Sequence, residues 1–139
     1  MHRLALLALM VCVAAGCETA AQKELSKGPD VPDYDGLRAL NNQELLQPIL
    51  MGAGMGNIAA VKQQAAKPEF VEAFEKFEKE PIPSKYSTPE REAARTDAIK
   101  HFKALIEGAK SGASDADLKT SAEAANKALQ SLSAPGPAK

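Results

Sequence analysis

Two methionines and a histidine are the chemically adaptable side chains in the middle of this 139-residue chain. Met51 and Met55 lie in the stretch QPILMGAGMGNIAAVK, residues 47–62. At i, i+4 spacing two thioethers share one face of a helix, and copper(I) favours such soft ligands. His101 would have to complete the set, so Met51, Met55 and His101 make a sparse candidate metal site. The same stretch carries Gly52, Gly54 and Gly56. Each interior glycine costs a helix about 1 kcal/mol relative to alanine, which demands a compensating packing or ligand role. The packing answer is close contact between this first helix and the last, with Met51 and Met55 as adaptable core filler. GAGMG is no phosphate loop, because it lacks a preceding strand and the full spacing.

Cys17 is the other reactive group. It follows a short basic start, Met1-His2-Arg3, and an apolar or small-residue run from Leu4 to Ala15. That run is too short to span a bilayer, which takes about 20 residues, and has the form of an export signal. Its end, VAAGC, resembles the lipobox of bacterial lipoprotein precursors, with Ala14 where leucine is usual. The resemblance implies a signal peptide of residues 1–16, cleavage after Gly16, and a lipidated Cys17 as the new N-terminus. An ordinary secretory cleavage leaving a free thiol is the alternative. Acyl chains would hold the protein on a membrane at about 0.8 kcal/mol per buried methylene. Glu18 stands where an inner-membrane retention signal has aspartate, which favours the periplasmic face of the outer membrane over the inner membrane.

With Cys12 cleaved away and Cys17 acylated, the folded part keeps no thiol, disulfide or cysteine metal site. One histidine and no thiol give no support to a Ser-His-Asp or Cys-His system. The acidic residues around Glu72 and Glu75 alternate with lysines at helical spacing, as a solvated face does. The expectation is therefore a protein that is not an enzyme, with no catalytic residues. Removal of Arg3 leaves 16 basic against 18 acidic side chains. Without a basic block, that balance argues against a nucleic-acid partner.

The elements that must position these residues read as four helices. Residues 17–36, with ETAAQKELSKGPDVPDYDG after the cysteine, are polar and broken by glycine and proline, the composition of a tether. Residues 37–133 are the expected domain, and 134–139 a frayed tail. The first helix begins near Asn41, which has capping-box-like spacing to Glu44, and either kinks or restarts at Pro48. Met51, Met55, Ile58, Val61 and Ala65 would form its apolar stripe. Pro68-Glu69 opens a second helix, with Phe70, Val71, Phe74 and Phe77 on one face, and Pro81 to Pro83 stop it. Thr88-Pro89-Glu90 starts a third, buried through Ala98, Ile99, Phe102, Leu105, Ile106 and Ala109. Ser114 and Asp117 cap a fourth, with Leu118, Ala122, Ala125, Leu129 and Leu132 in a faultless stripe. No segment alternates with the period of a strand. The fold class is all-α, and an up-down-up-down four-helix bundle satisfies the four seams.

This order of parts resembles the cytochrome c-prime and soluble four-helix cytochrome b superfamily of periplasmic proteins. LLQPILMGAGMGNIAAVK is similar to its first helix, KPEFVEAFEKFEKEPIP to its second helix and crossover, and residues 97–132 to its final hairpin. The resemblance implies haem, yet the last helix has neither the CxxCH of the c-type members nor the histidine of the b-type member. Covalent attachment is excluded because no CxxCH exists in the chain. A noncovalent haem b would need Met51, at the family-like position, and His101, which does not match the family's ligand position. The reading is a cytochrome-like lipoprotein without a cofactor, acting as a structural or interaction module. Its membrane partner is bound through Cys17, and any protein partner is unidentified. The alternatives are a haem-binding electron-transfer protein and, last, a copper-binding one.

Overall fold

The computed structural model describes residues 34–133, and every regular element among them is an α-helix. In chain order these are α1 (Asp35–Leu40), α2 (Gln43–Met55), α3 (Ile58–Ala65), α4 (Pro68–Lys79), α5 (Pro89–Ser111) and α6 (Asp115–Ser133). The expected all-α class holds. None of these helices is long and apolar enough to cross a membrane.

The last three rods form where local chemistry directs them. Pro68 and Pro89 each occupy the first turn of their helix, where a missing N–H removes nothing and the fixed φ suits the helix. The Thr88 hydroxyl accepts from the Arg91 N–H at 3.3 Å, and Ser114 Oγ accepts from the Asp117 N–H at 3.2 Å. Phe70, Phe74 and Phe77 of α4 are buried against α5, where Phe102 meets Phe70 edge-on at 5.9 Å and Phe74 at 6.1 Å between ring centroids. Leu118, Ala122, Ala125, Leu129 and Leu132 line the buried side of α6, which packs along α5.

The first rod departs from expectation. It neither starts nor breaks at Pro48; α2 begins at Gln43, capped by Asn42 rather than Asn41, and runs through the proline to Met55. The break comes at Gly56, whose φ of 73° lies in the left-handed region. The Asn57 N–H returns to the Gly52 carbonyl at 2.8 Å, the six-to-one closure of a Schellman ending. Asn57 then caps α3, its side chain accepting from the Ala60 N–H at 3.2 Å. The stripe from Met51 to Ala65 is therefore not one face of one helix. Glycine in a conformation costly to any residue with a Cβ, followed by a residue with strong N-cap preference, outweighs the apolar periodicity that runs through it.

The two short helices fold back on one another, and a polar contact holds them. Pro48 has no N–H, so the Glu44 carbonyl one turn earlier loses its helical donor. Gln64 of α3 supplies the replacement: its Nε2 donates to the Glu44 carbonyl at 3.1 Å and to the Leu45 carbonyl at 3.0 Å. Gln64 is the buried polar side chain of the described residues, 4% exposed. Its burial is tolerable because its donors are used.

Packed structure also reaches further back than expected. Tyr34 is 1% exposed and Gly36 is a buried residue of α1, so the boundary expected at residue 36 falls inside packed structure. Six residues are too few for a helix that stands alone, which needs about 12–15. The short α1 exists because Leu37 and Leu40 dock on α4.

Replacing Gln64 with leucine keeps the volume but removes the side-chain donor to the Glu44 and Leu45 carbonyls, of which Glu44 has no helical donor in its place. Urea unfolding of Gln64→Leu should show a loss of about 1–3 kcal/mol. Adding Pro48→Ala, which restores the donor for Glu44, should recover part of that loss. Equal stability of the single and double variants would show that Gln64 does not serve the proline's orphan acceptor.

Candidate functional site

The candidate ligands of the first rod face outward. Met51 is 59% exposed and Met55 79% exposed on the solvent side of α2. They are not core filler, because the buried side of α2 is made by Leu46, Ile49, Gly52 and Ala53. His101 lies on α5 and is half-buried beside the fully buried Phe102. The principal packing partners of α2 are α3 and α6, not the helix α5 that carries His101. Among the described residues, no cluster of three or more His, Cys, Asp or Glu is placed to hold a metal. Cys17 lies outside the described residues.

The three glycines have three different reasons. A methyl group on Gly52 would stand 2.9 Å from Cγ2 of Val61 and 3.1 Å from the Asn57 carbonyl oxygen. Gly52 thus allows α2 and α3 to approach each other within their own hairpin, not the first helix to approach the last. Gly56 supplies the left-handed turn described above. Gly54 is exposed, with nothing within 4 Å of where its Cβ would be. The structure gives no account of glycine at that position.

A second polar assembly is built around Arg95 of α5. Its Nη2 donates to the Glu78 and Glu80 carbonyls at 2.7 and 2.9 Å, satisfying acceptors at the C-terminal end of α4. Its Nε donates to the Tyr34 hydroxyl oxygen at 3.2 Å, and the Tyr34 hydroxyl donates to the Glu80 carbonyl at 3.4 Å. The Gly36 N–H donates to the Glu80 carboxylate. The guanidinium also lies 6.0 Å from the Phe77 ring centroid, while the Tyr34 and Phe77 rings stand 6.0 Å apart. Burial pushes the Tyr34 phenol up from its ordinary pKa, and the hydrogen bond and charge of Arg95 oppose that. A raised phenol pKa stabilises the fold below the ordinary phenol range, and that contribution is lost as pH rises through the folded value. Its bonds run between α4, α5 and the segment around Tyr34, so the assembly ties these elements together.

Concavities among the described residues include two. One is enclosed by Tyr34, Leu37, Ile82, Tyr86, Arg91 and Leu132 and holds about 10 Å³, no more than one water. The other is a wide, open depression lined by Glu72, Glu75, Lys76, Lys79, Glu80 and Pro81. Its charges alternate, and Lys79 pairs with Glu75 at 3.1 Å on an exposed helix face, an arrangement of little energetic weight. The first is far too small for haem or a small molecule, and the second is open and charged where such pockets are enclosed and mostly apolar.

Sequence reasoning passed over Tyr34, Gln64 and Arg95. A signal existed for Gln64, which occupies a buried position of the α3 pattern, three residues beyond Val61. Arg95 gave no such signal, since its partners are backbone carbonyls of another helix. The chain matches no protein-family model, no curated protein and no solved structure.

The glycine roles predict opposite outcomes within one stretch. Gly52→Ala should cost about 1–3 kcal/mol through overpacking against Val61. Gly54→Ala should be neutral or add up to about 1 kcal/mol, since only helix propensity changes. Thermal unfolding of both variants checks this, and a loss at Gly54 as large as that at Gly52 would refute the assignment.

Proposed function

We propose that the protein is a lipoprotein held on the periplasmic face of the outer membrane, whose helical domain serves as a structural or interaction module. The observation that carries the reading is the run Leu4–Ala15 closed by Ala14-Ala15-Gly16-Cys17. The thiol-free interior of residues 34–133 supports it, because the one cysteine after the signal segment is then free for a single purpose. With no apolar span among the described helices, membrane attachment falls to the lipid. The sixteen residues from Glu18 to Asp33 set a reach of at most roughly 55 Å, at about 3.5 Å per residue.

In this reading the domain is a variant of the up-down-up-down bundle. The rods α4, α5 and α6 follow the expected order, and the hairpin of α2 and α3 replaces a single first rod. The haem alternative draws no support from Met51, because an axial thioether needs an apolar enclosure and this one faces solvent. The copper alternative has the thioether pair but no third donor arranged beside it.

Cys17→Ser tests the anchor. Membrane fractionation with metabolic labelling by a tagged fatty acid should show the wild-type chain labelled and sedimenting with envelopes. The variant should be unlabelled and released by osmotic shock. Continued sedimentation of the unlabelled variant would mean that lipid is not what holds the protein. Hemin titration of residues 18–139 should give no saturable Soret band; a saturable band lost in Met51→Ala would restore the electron-transfer reading.

A further inference from the structure

We infer that the outward face of α2 is where two copies of this chain pair, helix against helix, with a methionine of each seated over Gly54 of the other. Gln47, Met51, Gly54 and Met55 fall on one side of α2 at i, i+4, i+7 and i+8, and all four are exposed. Met51 and Met55 are the large apolar side chains that the described residues expose. No charged residue stands between Glu44 and Lys62. The exposed sides of α4, α5 and α6 carry charge instead, as at Glu75, Lys103 and Glu123. Gly54 is the recess in this face. An interior glycine weakens a helix, and with nothing within 4 Å of where its Cβ would be, no contact inside the chain requires it.

A second copy fits this face by shape. A two-fold pair sets one patch against itself, so the patch must hold both the projection and the recess. Met51 and Gly54 supply them. In an antiparallel crossing whose axis passes between these positions, Met51 of each copy meets Gly54 of the other, and Leu50 meets Met55. Leu50 is half-buried against the core, so the second copy completes its burial. Charge agrees with shape. A face without charge brings no like charges together when it meets itself, and the two Glu44 side chains lie at opposite ends of the crossing. A lipid surface fits less well, because helices lying in a bilayer interface carry lysine or arginine on their polar flank, and α2 has neither. One helix face is smaller than the roughly 800 Å² that each partner gives to a stable interface, so the pair is weak and reversible. The inference rests on the reading of the domain as an interaction module and not on lipid at Cys17.

Photo-crosslinking of the full chain in the envelopes of expressing cells tests the pair, with p-benzoylphenylalanine in place of Met55. Irradiation should give a covalent dimer in which the tryptic peptide of residues 39–62 is joined to a second copy of itself. The same probe in place of Glu123 on α6 should give none. Gly54→Glu fills the recess and opposes two carboxylates; the open space there should leave helix content unchanged, while the dimer yield falls at least about tenfold. Met51→Ala, which removes the projection, should lower the yield in the same direction. Cross-links to lipid or to another protein in place of the second copy, absence of the dimer, or a yield unmoved in both folded variants would overturn the inference. Labelling and sedimentation of Cys17→Ser report separately on the anchor.

Discussion

A proline in the middle of a helix creates a debt that the chain must settle elsewhere, and the fold is organised around the settlement. Pro48 cannot donate to Glu44, which leaves the Glu44 carbonyl, part-buried where α3 covers it, in need of another donor. The nearest available donor is the Gln64 side chain, which reaches it only if α3 turns back along α2. That reversal requires a tight turn at Gly56 and a close crossing at Gly52. Three residues that look unrelated in the chain are thus parts of one solution. Remove any of them and the hairpin loses either its hinge, its clearance or its internal acceptor balance.

The other half of the molecule is held by a different principle. There the aromatic residues of α4 lock against Phe102 of α5, and the long helices α5 and α6 run together along small and branched residues. Arg95 finishes α4 as a side-chain cap made from another helix, an alternative to the glycine ending that α2 uses. The same guanidinium then becomes the dock for Tyr34. One cation therefore does both jobs, ending a helix and receiving the segment that leads into the domain. The exposed ion pair of Lys62 with Asp115, 2.8 Å long, adds little beside these contacts.

The second half of the chain was legible because local signals and tertiary demand agree there. Prolines mark the starts of α4 and α5, capping hydroxyls those of α5 and α6, and every residue of the stripe on α6 is buried. The first half misled because Met51, Met55, Ile58, Val61 and Ala65 continue one periodicity across a real break. The break had its own signature in Gly56-Asn57, a left-handed ending followed by a cap, which periodicity overrode. The short α1 was hidden for another reason: six residues carry too little pattern to announce a helix, and theirs packs against α4. Met51 and Met55 lie one turn apart on α2, and both are exposed. Which face points outward depends on Leu46, Ile49 and Ala53 reaching the core first, and that is a matter of three-dimensional competition.

The outward placement of the two methionines has a chemical consequence. Residues 34–133 contain no sulfur other than these two thioethers, and both are well exposed. Conversion to the sulfoxide makes a methionine polar and disrupts a core that depends on it. Here no core position depends on one. Peroxide or hypohalous acid would find its easiest targets on the outside of the protein, where an added oxygen displaces only water.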